Sequence, residues 1–316
     1  MKIVVSGATG FLGGHLCRYL TAHGHEVTGL GRDVARGAAL GVPFEAVDLA
    51  DADALSTVSS ADAFVHCAAR SSNWGRRRDF DRANVAGTHN ALTMAERLGV
   101  RRFIHISSPS VAFRFRDQLN LGEDTPFPHP VNAYAASKQQ AERLVRARAA
   151  VGPIVLRPRG IYGPGDTALL PRLLRAAQSG ALPLIHHGEA VTDLTHVDDV
   201  VSAIALALAA PDACLGRVYN ISGGEALTIK AIITQSAAAA KVPVRFTAIP
   251  YGLAMTAARI AELAATLTPG RPEPLFTAYS VGVMAFSQTL DIAAAARDLG
   301  YGPRVTFAEG LGQTFP

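Results

Sequence analysis

The chain has 316 residues and a formal charge of +4, with 49% hydrophobic and 18% charged residues. That length and apolar share allow one large α/β unit plus a smaller lobe, and they exclude a disordered chain. No Lys/Arg stripe with interleaved aromatics is present, which excludes nucleic acid as a partner and leaves the mild basic excess for an anionic cofactor.

Residues 2–5 are a β-branched run, expected to be a buried parallel strand. Gly7, Gly10 and Gly13 follow, and a helical pattern runs over 15–22, making a strand–turn–helix with G-x-x-G-x-x-G spacing. Gly7 permits a tight exit from the strand, and Gly10 lets backbone N–H groups approach a diphosphate. Gly13 lets the helix lie close to the sheet with its N-terminal dipole toward the phosphates. Thr9, Phe11 and Leu12 complete this candidate dinucleotide loop. A second strand is expected at 25–30, ending in Gly31 and Arg32. A carboxylate at that point hydrogen-bonds the free ribose 2′-OH of NAD. A glycine beside a guanidinium leaves room and charge for a 2′-phosphate, so the pattern favours NADP(H), with Asp33 close enough to compete for Arg32.

The third strand, 44–47, ends in Asp48 and Leu49, candidates for the adenine edge. The fourth, 63–65, runs into His66, Cys67, Ala68 and Ala69, whose small side chains let backbone pass beside a cofactor. His66 reads as a packed histidine and Cys67 as a small buried hydrophobe. Residues 71–82 are polar, and Arg76, Arg77 and Arg78 read as a solvated loop or helix start in preference to an anion-steering rim. A helix over 84–98 and a fifth strand over 102–106 follow.

That strand runs into Ser107 and Ser108, and a later helical segment carries Tyr134 and Lys138. Four residues apart on a helix, the two side chains share one face. A phenol beside an ammonium has its ionised form favoured, so the expectation is a tyrosine pKa brought down toward working pH. Such a tyrosine exchanges a proton with a carbonyl oxygen while hydride moves at carbon, and a serine hydroxyl from the strand end hydrogen-bonds the same oxygen. A nucleophilic serine has no support, because no G-x-S-x-G elbow is present.

With these motifs in hand, the chain resembles the extended short-chain dehydrogenase/reductase (NAD-dependent epimerase/dehydratase) superfamily over nearly its full length. The residues that carry the likeness are the Gly7 to Gly13 loop, His66 to Ala69, Asn84 to Thr88, Ser107–Ser108, Tyr134 with Lys138, the 156–166 stretch and Thr195 to Val200. The resemblance implies that Ser108 orients the substrate oxygen, Tyr134 is the acid/base, and Lys138 tunes it and holds the nicotinamide ribose. Asn84, Pro158 and Ile161 would support the nicotinamide side. The fold implied is an α/β Rossmann doubly wound parallel sheet, residues 1–166 with a return segment 192–222, and a smaller C-terminal substrate lobe, 167–191 and 223–316. A homodimer through the helices near 86–98 and 133–150 is also implied. Within the family the chain is similar to the 3β-hydroxysteroid dehydrogenase-like branch and the ketoreductase of bacterial olefin biosynthesis, through 73–75, 157–159 and 169–173. Ala112 departs from the V-Y-G stretch of sugar epimerases, and the triple arginine departs from the olefin branch.

Further on, a strand at 218–222, a helix at 227–240, an alanine-rich helix at 251–267 and a last helix at 291–299 are expected. The 251–267 helix reads as core packing in preference to a pocket lining or a membrane contact. His186, His187 and His196 have no metal spacing, and His196 reads as a turn or helix cap. The apolar run 200–210 is too short to span a bilayer, no leader is expected, and the odd, widely spaced Cys17, Cys67 and Cys214 suit a reducing cytoplasm. The expected function is an NADP(H)-dependent oxidoreductase that interconverts a ketone and a secondary alcohol on an apolar small molecule, of the 3-keto acid or steroid type that the resemblance implies. Two other readings stay open: a nucleotide-sugar epimerase or dehydratase with tightly bound NAD, and a non-catalytic dinucleotide-binding regulator, against which Ser108, Tyr134 and Lys138 argue.

Overall fold

Lys2–Ser6 is buried on both faces after its first residue, and in the computed structural model it forms β1, an inner strand of a parallel sheet. The structure describes residues 1–51 and 57–316. The chain continues through α1 (Phe11–Ala22), β2 (Glu26–Gly31), α2 (Val34–Ala38), β3 (Phe44–Ala46) and β4 (Ala63–His66). Next come α3 (Arg77–Phe80), α4 (Gly87–Arg97), β5 (Phe103–Ile106), β6 (Gln118–Leu121), α5 (Ala133–Arg146) and β7 (Pro153–Pro158). The chain then forms β8 (Ile161–Tyr162), α6 (Leu170–Ser179), β9 (Leu182–Leu184), β10 (Val191–Thr192), β11 (Thr195–His196), α7 (Val197–Ala209) and β12 (Val218–Ile221). The last part holds β13 (Leu227–Thr228), α8 (Ile229–Ala239), β14 (Phe246–Ala248), α9 (Tyr251–Leu267), α10 (Ala278–Ala285), β15 (Gln288–Leu290), α11 (Ala293–Leu299) and α12 (Phe307–Thr314).

The main sheet has seven strands in the order β12-β7-β5-β4-β1-β2-β3, so the direction of winding reverses between β1 and β4. In a doubly wound sheet that reversal opens a crevice at the carboxyl ends of the strands. Strand alternation divides the core into two layers. Ile3, Val5, Ala63 and Val65 pack with Leu12, Leu16 and Leu20 of α1 and Val197, Val200 and Ile204 of α7. Val4, Phe64 and Phe103 face the other way, onto Ala91, Leu92 and Ala95 of α4 and Val145 of α5. Each such leucine contributes about 1.5–3 kcal/mol of burial, so the two layers hold the strand ends rigidly in place. A second sheet, β13-β10-β15-β6, is built from the later part of the chain and joined by β6 from within the first 166 residues.

Three elements differ from the sequence expectation. The helix expected at 84–98 is a π-helical turn, Asp81–Ala86, running into α4. The helix ending at Leu299 is not the last, because α12 follows, closed by a capping box between Thr306 and Glu309. The third is α9, which is not core packing: it buries Met255, Ala258 and Ala265 but leaves Leu253, Ile260, Leu263 and Leu267 exposed. Met255 and Ala258 pack with Ile185 and with Val281 and Ala285 of α10.

Candidate active site

The loop between β1 and α1 is shaped by close approach. Gly7 has φ +71°, and a Cβ there would lie 2.7 Å from the Ala68 nitrogen. A Cβ on Gly13 would overlap the Gly7 carbonyl, so the helix sits on the turn only because both are glycine. Gly10 is exposed, and its N–H donates to the Gly7 carbonyl at 2.9 Å. The first turn of α1 has no side-chain cap and no acidic residue, leaving its N–H groups for an anion. These residues fit the diphosphate of a dinucleotide. Thr9 and Phe11 are half-buried beside them, while Leu12 is turned into the core.

Along the crevice toward β2 and β3, a Cβ on Gly31 would meet the Thr9 hydroxyl at 3.0 Å and the Phe44 ring at 3.2 Å. Arg32 is exposed and makes no ion pair among the described residues. Asp33 does not compete for it. Its carboxylate caps α2 by accepting from the Arg36 N–H at 3.0 Å and pairs with the Arg36 guanidinium at 3.5 Å. Asp48 is half-buried and accepts from the Ala50 N–H at 3.0 Å, and Leu49 is buried with its carbonyl held by Asn90 at 2.8 Å.

At the carboxyl ends of β4 and β5 the structure brings Ser108, Tyr134 and Lys138 together. Asn132 caps α5 through the Ala135 N–H at 2.8 Å, which starts the helix just ahead of Tyr134. The Ser108 and Ser71 hydroxyls lie near enough to the Tyr134 phenol to act on its pKa, and no sequence motif marks Ser71. Burial pushes this phenol up from its ordinary pKa, and the two serines oppose the shift. This corrects the expectation of a lowered value: the Lys138 ammonium, one turn on, donates to the Ile106 carbonyl at 2.7 Å. Burial brings Lys138 itself down to about 8, with the Glu142 carboxylate opposing.

Asn84, buried in the π turn, holds this arrangement from behind. Its carbonyl oxygen accepts from the Arg70 N–H at 2.7 Å, and its amide donates to the Arg70 carbonyl at 3.2 Å and the Ser137 hydroxyl at 2.9 Å. The loop bearing Ala68, Ala69 and Ser71 is thereby tied to α5. His66 is a packed histidine between Ser6 at 2.7 Å and Thr88 at 3.0 Å. Thr88 donates onward to the Asn84 carbonyl at 2.6 Å, so it accepts from His66 Nε2–H, and His66 Nδ1 accepts from Ser6. Burial holds this ring neutral, at about 3. Burial also pushes the Cys67 thiol up, with the Lys138 charge opposing. Ser107 faces the interior and donates to Glu142 at 2.7 Å, which separates its place from that of Ser108.

Around the site, Tyr279 lies close enough to Tyr134 and Arg159 for their charges to act on it, and it stacks edge-on against Phe113 at 5.2 Å. Phe80 packs 6.2 Å from the Tyr134 ring. The Trp74 indole donates to the Arg271 carbonyl at 3.1 Å, and Arg172 pairs with Glu273 at 2.6 Å, binding the segment after α9 to both sides. Arg76, Arg77 and Arg78 form an exposed start to α3, with Arg77 paired to Asp81 and Arg78 to Asp79. Pro158 is buried at the end of β7 and Ile161 half-buried in β8. Asp166 caps the start of α6, accepting from Ala168, Leu169 and Leu170 at 2.7–3.0 Å, and His196 caps α7 through the Asp198 N–H.

Residues 3–222 match the family described as the NAD dependent epimerase/dehydratase family. The chain belongs to this family. It is 36% identical to the 2-alkyl-3-oxoalkanoate reductase of Stenotrophomonas maltophilia, over 98% of this chain and 97% of that protein. It is 30% identical to 3beta-hydroxysteroid-dehydrogenase/decarboxylase isoform 1 of Arabidopsis thaliana, over 98% of this chain and 78% of that one. Among solved structures it is similar to DesIV, a dTDP-glucose 4,6-dehydratase from Streptomyces venezuelae with NAD bound. There the identity is 28% and the TM-score 0.77, covering 99% of this chain and 95% of that one. The chain is an enzyme of the extended short-chain dehydrogenase/reductase type, and the 3β-hydroxysteroid dehydrogenase-like resemblance of its sequence holds.

Proposed function

We propose that the chain is an NADP(H)-dependent ketoreductase that interconverts a ketone and a secondary alcohol on an apolar substrate of the 3-keto acid or steroid class. The observation that carries this reading is the Tyr134 phenol beside the Ser108 hydroxyl just past β5, one helical turn from Lys138. Gly7 to Gly13 would hold the diphosphate, Arg32 the 2′-phosphate, Asp48 and Leu49 the adenine. Ala68, Ala69, Asn84, Lys138, Pro158 and Ile161 would flank the nicotinamide half. When bound, the nicotinamide group supplies or accepts the hydride. Ser108 and Tyr134 hydroxyls donate to the substrate oxygen, and Tyr134 gives it the proton in reduction. A homodimer through α4 and α5 and a cytoplasmic location, which suits three unpaired cysteines, complete the reading.

The NADP(H) preference rests on the free Arg32 guanidinium beside a glycine, with Asp33 engaged elsewhere. Charge-assisted hydrogen bonds to a phosphate are worth about 1.5–3 kcal/mol, so NADPH is expected to bind tighter than NADH by about that amount. NADPH oxidation should proceed with 2-alkyl-3-keto acids or ketosteroids. Equal dissociation constants for the two cofactors would remove Arg32 from the site, and turnover of a nucleotide sugar with no net NADPH consumption would overturn the ketoreductase.

The reduction should also be lost at high pH. Lys138 has its folded value lowered to about 8, so its ammonium predominates at neutral pH and disappears as pH rises through that value. Plotted against pH, kcat/KM is expected to fall above about 8, and a level alkaline limb would show that the Lys138 charge plays no part.

A further inference from the structure

Leu253, Ile260, Leu263 and Leu267 project from α9 and are 63–78% exposed. At about 100° per residue they lie within an arc of about 80°, nearly opposite the buried Met255, Ala258 and Ala265. Arg259 is exposed at the border of this stripe and makes no ion pair among the described residues. The acidic side chains of the same segment are engaged: Glu262 accepts from the Ala278 N–H at 2.8 Å, and Glu273 pairs with Arg172 at 2.6 Å. The face therefore shows large apolar groups and a cation, with no free carboxylate. A second copy packed antiparallel about Ile260 would bring two Arg259 guanidinium groups together with no acid between them, whereas an anionic lipid surface satisfies both the charge and the leucines. The helix is not long and apolar enough to cross a membrane. Its C-terminal end leads into Arg271, whose carbonyl holds Trp74, in the loop that carries Ser71 to the Tyr134 phenol.

We propose that α9 lies flat on an anionic lipid surface, with its leucine stripe in the interface and Arg259 among the headgroups, so that an apolar substrate reaches the site from the lipid phase. The binding itself does not depend on the reaction assigned above. The test is co-sedimentation of the full-length protein with phosphatidylcholine vesicles and with vesicles that also contain phosphatidylglycerol. The protein should sediment with the anionic vesicles, more weakly in high salt. Arg259→Gln should weaken binding about fivefold, the effect of one cation near a charged surface. The double variant Ile260→Asp/Leu263→Asp should abolish it while leaving the circular dichroism spectrum and the rate on a small water-soluble ketone unchanged. No sedimentation of the wild type, or equal sedimentation of the double variant, would overturn the proposal. So would a fall in the light-scattering mass of the double variant, which would make this face a protein–protein interface.

Discussion

Tyr134→Phe should keep the fold and bind dinucleotide, yet reduce its ketone roughly 10²–10⁴-fold more slowly, the usual contribution of a positioned acid/base. The substitution removes one oxygen from a half-buried ring, and the hydroxyls near it, those of Ser108 and Ser71, belong to a half-buried and an exposed residue, so water can satisfy them. The packing of the ring on Phe80 survives. With burial raising its pKa, the phenol is fully protonated at neutral pH, which suits a proton donor in the direction of reduction. Single-turnover rates at saturating cofactor give the comparison, and a variant within a few-fold of wild type would assign the proton to another group.

Glu142→Gln acts on stability instead. Glu142 and Arg157 are 0% and 2% exposed and meet twice, through Nη2 at 2.5 Å and Nε at 3.1 Å, and Ser107 donates to the same carboxylate. Neutralising it leaves the guanidinium charge in the interior without a counter-charge, faced among the described residues by one amide oxygen, the Glu123 carbonyl at 3.0 Å and the Phe127 ring. Removing one partner of such a pair costs about 3–5 kcal/mol, well beyond the value of an exposed pair such as Arg77 with Asp81. Urea denaturation of the two proteins measures the difference, and a loss below about 1 kcal/mol would place the pair among the weak surface type. The same substitution removes the carboxylate that supports the Lys138 charge, so the alkaline limb of the activity should move to lower pH.

What the sequence discloses here follows the range of the forces involved. The glycine loop is legible because its constraint is local: Gly7 and Gly13, six residues apart, must lack a Cβ. Tyr134 and Lys138 are legible as neighbours because helical spacing alone makes them so. The acceptor of the Lys138 ammonium is not, since the Ile106 carbonyl comes from a strand 32 residues earlier. Ser71 and Tyr279 arrive by tertiary packing from segments without a motif. For α9 the apolar composition was plain, but periodicity does not say which face is covered, and there the alanines went inside and the leucines out. The Thr306 and Glu309 capping box is the opposite case, a local signal in the sequence that marks the start of α12.

The turn at Asp81–Ala86 has one more consequence. A π turn, with hydrogen bonds from i to i+5, contains an additional residue relative to the α-helix on either side. It therefore sets the rotational phase between α3 and α4, and removing one residue would swing Asn84 by about 100° relative to one flank. The amide would then miss Arg70, Ser137 or both. Chain length in this stretch is as constrained as residue identity, and a deletion that a surface loop absorbs without loss would here unfasten the loop beside Tyr134 with every catalytic side chain still in the sequence.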